Sequence, residues 1–150
     1  MAQGPIEQQK PELRLTRTYP VAVEKVWRAW TDPQALSQWF GPGAVNSVTR
    51  AEMDVRAGGR YTIRFHAEGE EHQVSGVYQE VDPQRKLVFS WAWQSTPERV
   101  SLVTVALRPV AGGTELDFRH ERFFDQTARD NHLRGWTGTF AKLDALMSQP

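Results

Sequence analysis

The sequence predicts an α+β fold, a strongly bent antiparallel β-sheet wrapped around one long C-terminal helix. Three observations predict it. Six strand-like runs lie between Ala44 and His120, divided by short turn signals, with no helix among them. That pattern makes an antiparallel meander. Leu87, Phe89, Trp91 and Trp93 alternate with Val88, Ser90 and Ala92. Side chains alternate across a strand, so the bulky residues line one sheet face and the small ones the other. Past Asp125, the residues His132, Trp136, Phe140, Leu143 and Met147 recur at helical spacing. A helix face that bulky has to meet a sheet face that bulky.

The elements follow in order. Met1 to Pro11 is rich in Gln, Glu and Pro and reads as a flexible arm, with one domain expected over residues 12–150. Leu13 and Leu15 open a first strand that runs through Tyr19 and stops at Pro20. Val23, Val26, Trp27 and Trp30 have the spacing of a buried helix face. Asp32 and Pro33 are a preferred N-cap and first helical residue, so a second short helix begins there. Its apolar side is Leu36, Trp39 and Phe40, and Gly41, Pro42 and Gly43 stop it.

The strand runs are Val45 to Val55, Arg60 to His66, Gln73 to Val81, Lys86 to Trp93, Val100 to Leu107 and Thr114 to His120. Gly, Pro and Asp clusters at 57–59, 68–70, 82–84, 95–97 and 111–113 turn the chain between them. Asp125 then caps the long helix, which runs to about Met147. Asp125 with Arg129, and Asp130 with Arg134, are spaced to pair on its solvent face. Gly135 and Gly138 each weaken the helix by about 1 kcal/mol relative to Ala. Their small size lets something bulky approach.

Composition narrows the function. The 150 residues carry 18 basic and 18 acidic side chains, a net charge of zero. A nucleic-acid binder needs a surplus of Lys and Arg to displace counterions, and no basic cluster accompanies the six Trp. Cysteine is absent, which excludes disulfides and thiolate chemistry and fits a reducing, cytoplasmic setting. The first residues lack the apolar core of a signal peptide, and no apolar run has the length of a membrane span. There is no nucleophile elbow, phosphate loop or dinucleotide fingerprint, so no catalytic motif is recognisable and no cofactor or metal is expected.

The candidate site is the space between the helix and the sheet. Tyr61, Phe65, Phe89, Trp91, Trp93, Phe118, Trp136 and Phe140 form either a packed core or the walls of an apolar pocket. His132 lies one turn before Trp136 and is either a core histidine or a polar contact for a ligand, with a pKa lowered by burial without a partner. His120 ends the strand whose Leu116 and Phe118 point inward. It is placed either to approach His132 or to sit at the rim. Tyr78 and Glu80 share one strand face; if that face is inner, Glu80 is a buried carboxylate and a candidate general acid. His66 and His72 flank a turn at Gly69, but two His without a third ligand make a poor metal site and read as exposed. Asp117 and Arg119 should point outward.

Local motifs sharpen this. Val26 to Pro33, then Leu36, then Trp39 to Pro42, resemble the START-like, helix-grip proteins called homologues of the activator of heat-shock protein 90 ATPase. So do Asp54 to Tyr61, Gly76 to Tyr78, Leu87 to Trp91, Gly112 to Leu116, and the helix set His132, Gly135, Trp136, Leu143. The resemblance covers roughly Leu13 to Leu146. It implies the helix-grip fold and a pocket, in a superfamily that includes lipid and sterol carriers and polyketide cyclases. The expected function is binding of a hydrophobic, aromatic or lipid-like small molecule, by a monomer or homodimer. Trp91, Trp93, Phe118, Trp136 and Phe140 are the expected walls, joined by Tyr61, Phe65 and Phe89. His132 and His120 are the expected polar contacts, and Trp39, Phe40 and the Gly41 to Gly43 loop the gate. Two alternatives stand beside it. One is a cyclase or dehydratase type of enzyme using His132 or Glu80 as acid/base. The other is a module that acts on a chaperone partner through its outer surface.

Overall fold

The computed structural model describes residues 10–44 and 47–148. The expected arm up to residue 9, and the expected strand start at Val45, lie outside the described residues. The elements are β1 (Leu13–Tyr19), α1 (Val23–Thr31), α2 (Pro33–Leu36), β2 (Val48–Met53), β3 (Arg60–Ala67), β4 (Glu70–Asp82), β5 (Lys86–Trp93), β6 (Ser101–Val110), β7 (Gly113–Glu121) and α3 (Gln126–Met147). The strands form one antiparallel sheet in the order β1-β7-β6-β5-β4-β3-β2. The meander from β2 to β7 is sequential, and β1 closes onto β7, with Leu15 opposite Phe118 and Leu13 opposite His120. This is the helix-grip fold, a curled sheet holding α3. No helix among the described residues is long and apolar enough to cross a membrane.

Alternation places the inner face as the sequence predicts. Leu87, Phe89 and Trp91 are buried, Trp93 is half-buried, and across the ladder Phe89 faces Val103, which faces His120. On α3 the buried residues are Trp136, Thr139, Phe140, Leu143 and Met147. Asp125 caps the helix by accepting from the Ala128 N–H at 2.8 Å. The expected pairs of Asp125 with Arg129 and Asp130 with Arg134 do not form. Arg129 instead donates to the Glu12 carbonyl and lies beside Asp130, while Arg134 donates to the Asn131 side chain. The N-terminal segment competes successfully for Arg129, which the spacing within the helix alone does not reveal.

Between sheet and helix sits a wedge. Trp30 from α1 is buried against Trp39 at 4.6 Å, Phe118 at 5.8 Å, Phe140 at 6.2 Å and Trp136 at 6.3 Å. The α2 helix is a single turn with Asp32 as its cap, so Trp39 and Phe40 leave it on the following turn. Trp39 is fully buried and donates its indole N–H to the Ala29 carbonyl at 3.0 Å. It is a core residue and does not reach the expected gate.

Two strand-level expectations change. A bulge between Tyr78 and Glu80 puts Tyr78 opposite Phe89 but Glu80 opposite Val88. The extra residue breaks the alternation. Tyr78 is buried, whereas Glu80 is exposed and pairs with Lys86 at 3.5 Å. The β3–β4 hairpin turns through Glu68 and Gly69, both at positive φ, as a two-residue turn between right-twisted strands requires. Its register sets His66 opposite Glu71 and Phe65 opposite His72. The two histidines therefore do not face each other. His66 is exposed, but His72 turns inward, half-buried against Phe65.

Gly76 marks a close crossing in the sheet. Tyr61 lies opposite it and crosses above it to donate its hydroxyl to the Ser90 carbonyl at 2.6 Å. A Cβ at Gly76 would sit 1.9 Å from that same carbonyl oxygen and 2.8 Å from the Tyr61 ring. The obstacle is backbone, which cannot swing away. Gly76→Ala is expected to destabilise the fold by about 3 kcal/mol, the upper end of ordinary overpacking costs. Urea unfolding reads this as a lower midpoint at an unchanged slope; a midpoint like that of the unsubstituted protein would contradict the crossing.

Candidate ligand cleft

Beside the N-terminal half of α3, between it and residues of β3, β4 and β5, is a cleft of about 710 Å³ that opens to solvent. Its floor is made of rings: Phe40, Phe65, Trp91, Trp93 and Trp136. They meet edge to face or tilted, with Trp91 and Trp93 at 5.4 Å, Phe40 and Phe65 at 5.8 Å, and Trp91 and Trp136 at 5.2 Å. Gly41, Pro42 and Gly43 form one lip, and the β5–β6 connection and the residues just before α3 form the other. Lys142 holds the first lip by donating to the Gly43 carbonyl at 2.6 Å. Gly138 packs on that lip, with Pro42 within ordinary contact of a Cβ. Gly135 instead faces open space in the cleft wall.

Of the sequence-predicted residues, Phe65, Trp91, Trp93, His132 and Trp136 line the cleft. Tyr61, Phe89, Phe118, His120 and Phe140 do not. Phe118 and Phe140 are packed on each other at 5.2 Å and on Trp30. Tyr61 and Phe89 pack with Tyr78 around a void of only about 10 Å³. The physical reason is the wedge: Trp30 fills the middle of the grip, so only one end of the ring-lined space stays open.

The histidines converge, with ring centroids 5.2 Å apart, but neither is free. Trp93 donates its indole N–H to His132 Nε2 at 2.9 Å, and His132 Nδ1 lies 2.7 Å from the Ala128 carbonyl. An indole N–H only donates and a carbonyl only accepts, so the proton must be on Nδ1. Below it, Trp136 donates to His120 Nδ1 at 3.0 Å, and His120 Nε2 meets Ser101 Oγ at 2.7 Å. His120 therefore carries its proton on Nε2, the opposite tautomer. His132 was expected to be buried without a partner; it has two. Burial holds its pKa below the usual histidine value, against a smaller upward pull from the Ala128 carbonyl. Burial, and secondarily the neighbouring His132, holds His120 well below it.

Thr139 also spends its hydroxyl, on the Gly135 carbonyl at 2.9 Å. The floor is thus lined by polar residue types whose hydrogen-bonding atoms face each other and not the cleft. Two groups depart from this among the described residues: the Trp91 N–H is buried without an acceptor, and the His72 ring, half-buried against Phe65 and Trp93, lines the cleft without a hydrogen bond.

A family model described as activator of Hsp90 ATPase homolog 1-like protein matches residues 20–148. The chain belongs to this family. Solved structures agree with that. A protein from Chromobacterium violaceum is 27% identical with a TM-score of 0.79, over 93% of this chain and 98% of its own. The AHSA1 protein of Silicibacter pomeroyi is 29% identical with a TM-score of 0.77, over 90% of this chain and 96% of its own. No match was found among curated proteins.

In this member of the Hsp90 ATPase activator homologues, the groups proposed for acid/base work do not assemble. Glu80 is on the outside, His120 is beneath the floor, and both His132 nitrogens are occupied. No group of three or more His, Cys, Asp or Glu among the described residues is placed to hold a metal. The sequence reading missed the polar rim, Ser95, Thr96 and Arg99 on one side and Asn131 and Arg134 on the other, with Phe123 and Phe124 beside them. The paired phenylalanines just before a helix cap were the available signal.

The histidine pairs make stability pH-dependent. Both rings are neutral in the fold and have depressed folded pKa values, so the unfolded chain binds more protons below about pH 6.5. Their contribution is complete above that pH and is lost as pH falls toward the folded values. Each ring adds a slope of up to about 1.4 kcal/mol per pH unit in that window. Urea unfolding between about pH 7.5 and 5 should show the loss. Ring nitrogen shifts in NMR should report Nδ1–H at His132 and Nε2–H at His120; a shared tautomer would contradict the two-pair arrangement.

Proposed function

We propose that this protein binds a small, largely apolar molecule in the cleft between the N-terminal half of α3 and the sheet, with Phe65, Trp91, Trp93 and Trp136 as its contact surface. The observation that carries this is a ring-lined floor whose polar atoms are nearly all spent on one another. Such a floor offers water few hydrogen bonds and an apolar ligand a large contact area. A volume of about 710 Å³ lies within the range of small-molecule sites. Membership in the family supports a ligand-binding or activator-like module at the level of fold, which is analogy and not mechanism.

A chaperone-facing surface has less support. Val100 and Phe124 are the large apolar side chains that stand exposed among the described residues, and Arg99 covers the Phe124 ring at 3.9 Å. Two side chains fall far short of the roughly 1,200 Å² of a stable protein interface.

Gly135 provides the test. It lines the cleft, and apart from its chain neighbours and the adjoining helix backbone no atom lies within 4 Å of where its Cβ would be. Gly135→Leu should fill the cleft while gaining about 0.5 to 1 kcal/mol from helix propensity. Titration with an apolar fluorescent dye, followed by Trp quenching, should show at least about a ten-fold loss of affinity beside an equal or higher Tm. Unchanged binding in a stable variant would remove the cleft as the site.

A further inference from the structure

The cleft's rim carries four charged residues, Glu68, Arg99, Asp125 and Arg134. They are not equally available. The Asp125 carboxylate is the cap of α3, accepting from the Ala128 N–H. Arg99 lies with its guanidinium carbon 3.9 Å from the centre of the Phe124 ring, and its Nε is 4.0 Å from Glu98, the outer limit of an ion pair. A guanidinium stacked on a ring uses its face and keeps its in-plane N–H donors for another partner. Arg134 is bonded to the neutral oxygen of Asn131 and makes no ion pair among the described residues. The rim is balanced in charge, two arginines and two carboxylates, but among the described residues neither Arg99 nor Arg134 has a carboxylate closer than 4.0 Å, so both keep N–H donors for a ligand. Below them the hydrogen-bonding groups of Trp93, His132, Trp136 and Thr139 are spent, and His72 is the polar ring that remains.

We propose that the ligand is an organic anion, an apolar aromatic or acyl body with a single negative head group, and that Arg99 and Arg134 read the head at the rim. The inference rests on the cleft being the binding site. The body lies on the rings, where a charge would be desolvated without a partner. The head stays at the mouth, where Arg99 is held in place by Phe124 and Arg134 by Asn131. Charge-assisted bonds of this kind discriminate against an uncharged analogue by roughly ten-fold or more.

Two dyes with the same body test it: anilinonaphthalene sulfonate, an anion, and phenylnaphthylamine, which is neutral. The folded protein should bind the anion at least about ten-fold tighter at low salt, and the gap should narrow at about 0.5 M salt. The double variant Arg99→Gln with Arg134→Gln should lose about ten-fold in affinity for the sulfonate and keep its affinity for the neutral dye. Glu68→Gln should strengthen binding of the sulfonate. All three positions are exposed, so the variants should fold, which thermal unfolding checks. An unchanged ratio of the two affinities in the double variant overturns the role of the arginines. Equal binding of both dyes to the unsubstituted protein overturns the anionic head while leaving the cleft intact. Failure of both dyes to bind, or binding that survives Gly135→Leu, overturns the cleft itself and this inference with it.

Discussion

Trp136 is docked by two interactions at once, and the rest of the interior depends on that docking. Its ring lies 4.5 Å from Phe118, and its indole N–H reaches His120 at 3.0 Å beneath the helix. Apolar packing alone would tolerate some sliding or rotation of α3. A buried, directional bond does not, because moving the helix strands an indole N–H and a ring nitrogen without partners at about 1 to 3 kcal/mol each. With Trp136 held, Phe140, Leu143 and Met147 point into the core on the turns that follow. His132 and Gly135, on the turn before, face the cleft. Farther along, Asp144 accepts from Tyr19 at 2.7 Å and from Arg17, tying the end of the helix to the edge strand β1.

The cleft exists because the grip is filled at one end only. Trp30 reaches in from α1 and touches both the sheet side and the helix side of the interior. Past it, Tyr61, Tyr78 and Phe89 pack around a void of about 10 Å³. The open end keeps its shape through backbone contacts. Gly41 holds a φ of +92° against the Phe65 ring, and a Cβ at Gly43 would meet the His66 carbonyl at 2.8 Å. Only glycine lets this lip lie directly on β3 in that conformation. Lys142 then fastens the lip to the helix.

The two Trp–His pairs explain how so many polar residue types come to line an apolar site. Each histidine is fixed in one tautomer by an indole donor on one nitrogen and an acceptor on the other. Fully satisfied buried networks specify geometry, whereas partly satisfied ones are costly. The pairs therefore position the rings of Trp93 and Trp136 that form the floor. They leave the selection of a ligand's polar end to the rim.

The sequence by itself determined the architecture. Period-two alternation in Lys86–Trp93, the helical stripe from His132 to Met147, the caps at Asp32 and Asp125 and the spaced turn residues are local signals, and local periodicity fixes which face of each element is buried. It also identified five of the residues that line the cleft, because a bulky inward face is visible in the pattern. Only the tertiary structure decided which inward rings are core and which are wall. That depends on Trp30, contributed by an element far from both faces in the chain. The bulge that turns Glu80 outward and the hairpin register that turns His72 inward were likewise invisible, since each depends on how one strand pairs with its neighbour. The partners of His120 and His132, and the competition between the N-terminal segment and Asp125 for Arg129, are contacts across the fold. Periodicity says which way a side chain points, but not what it meets there.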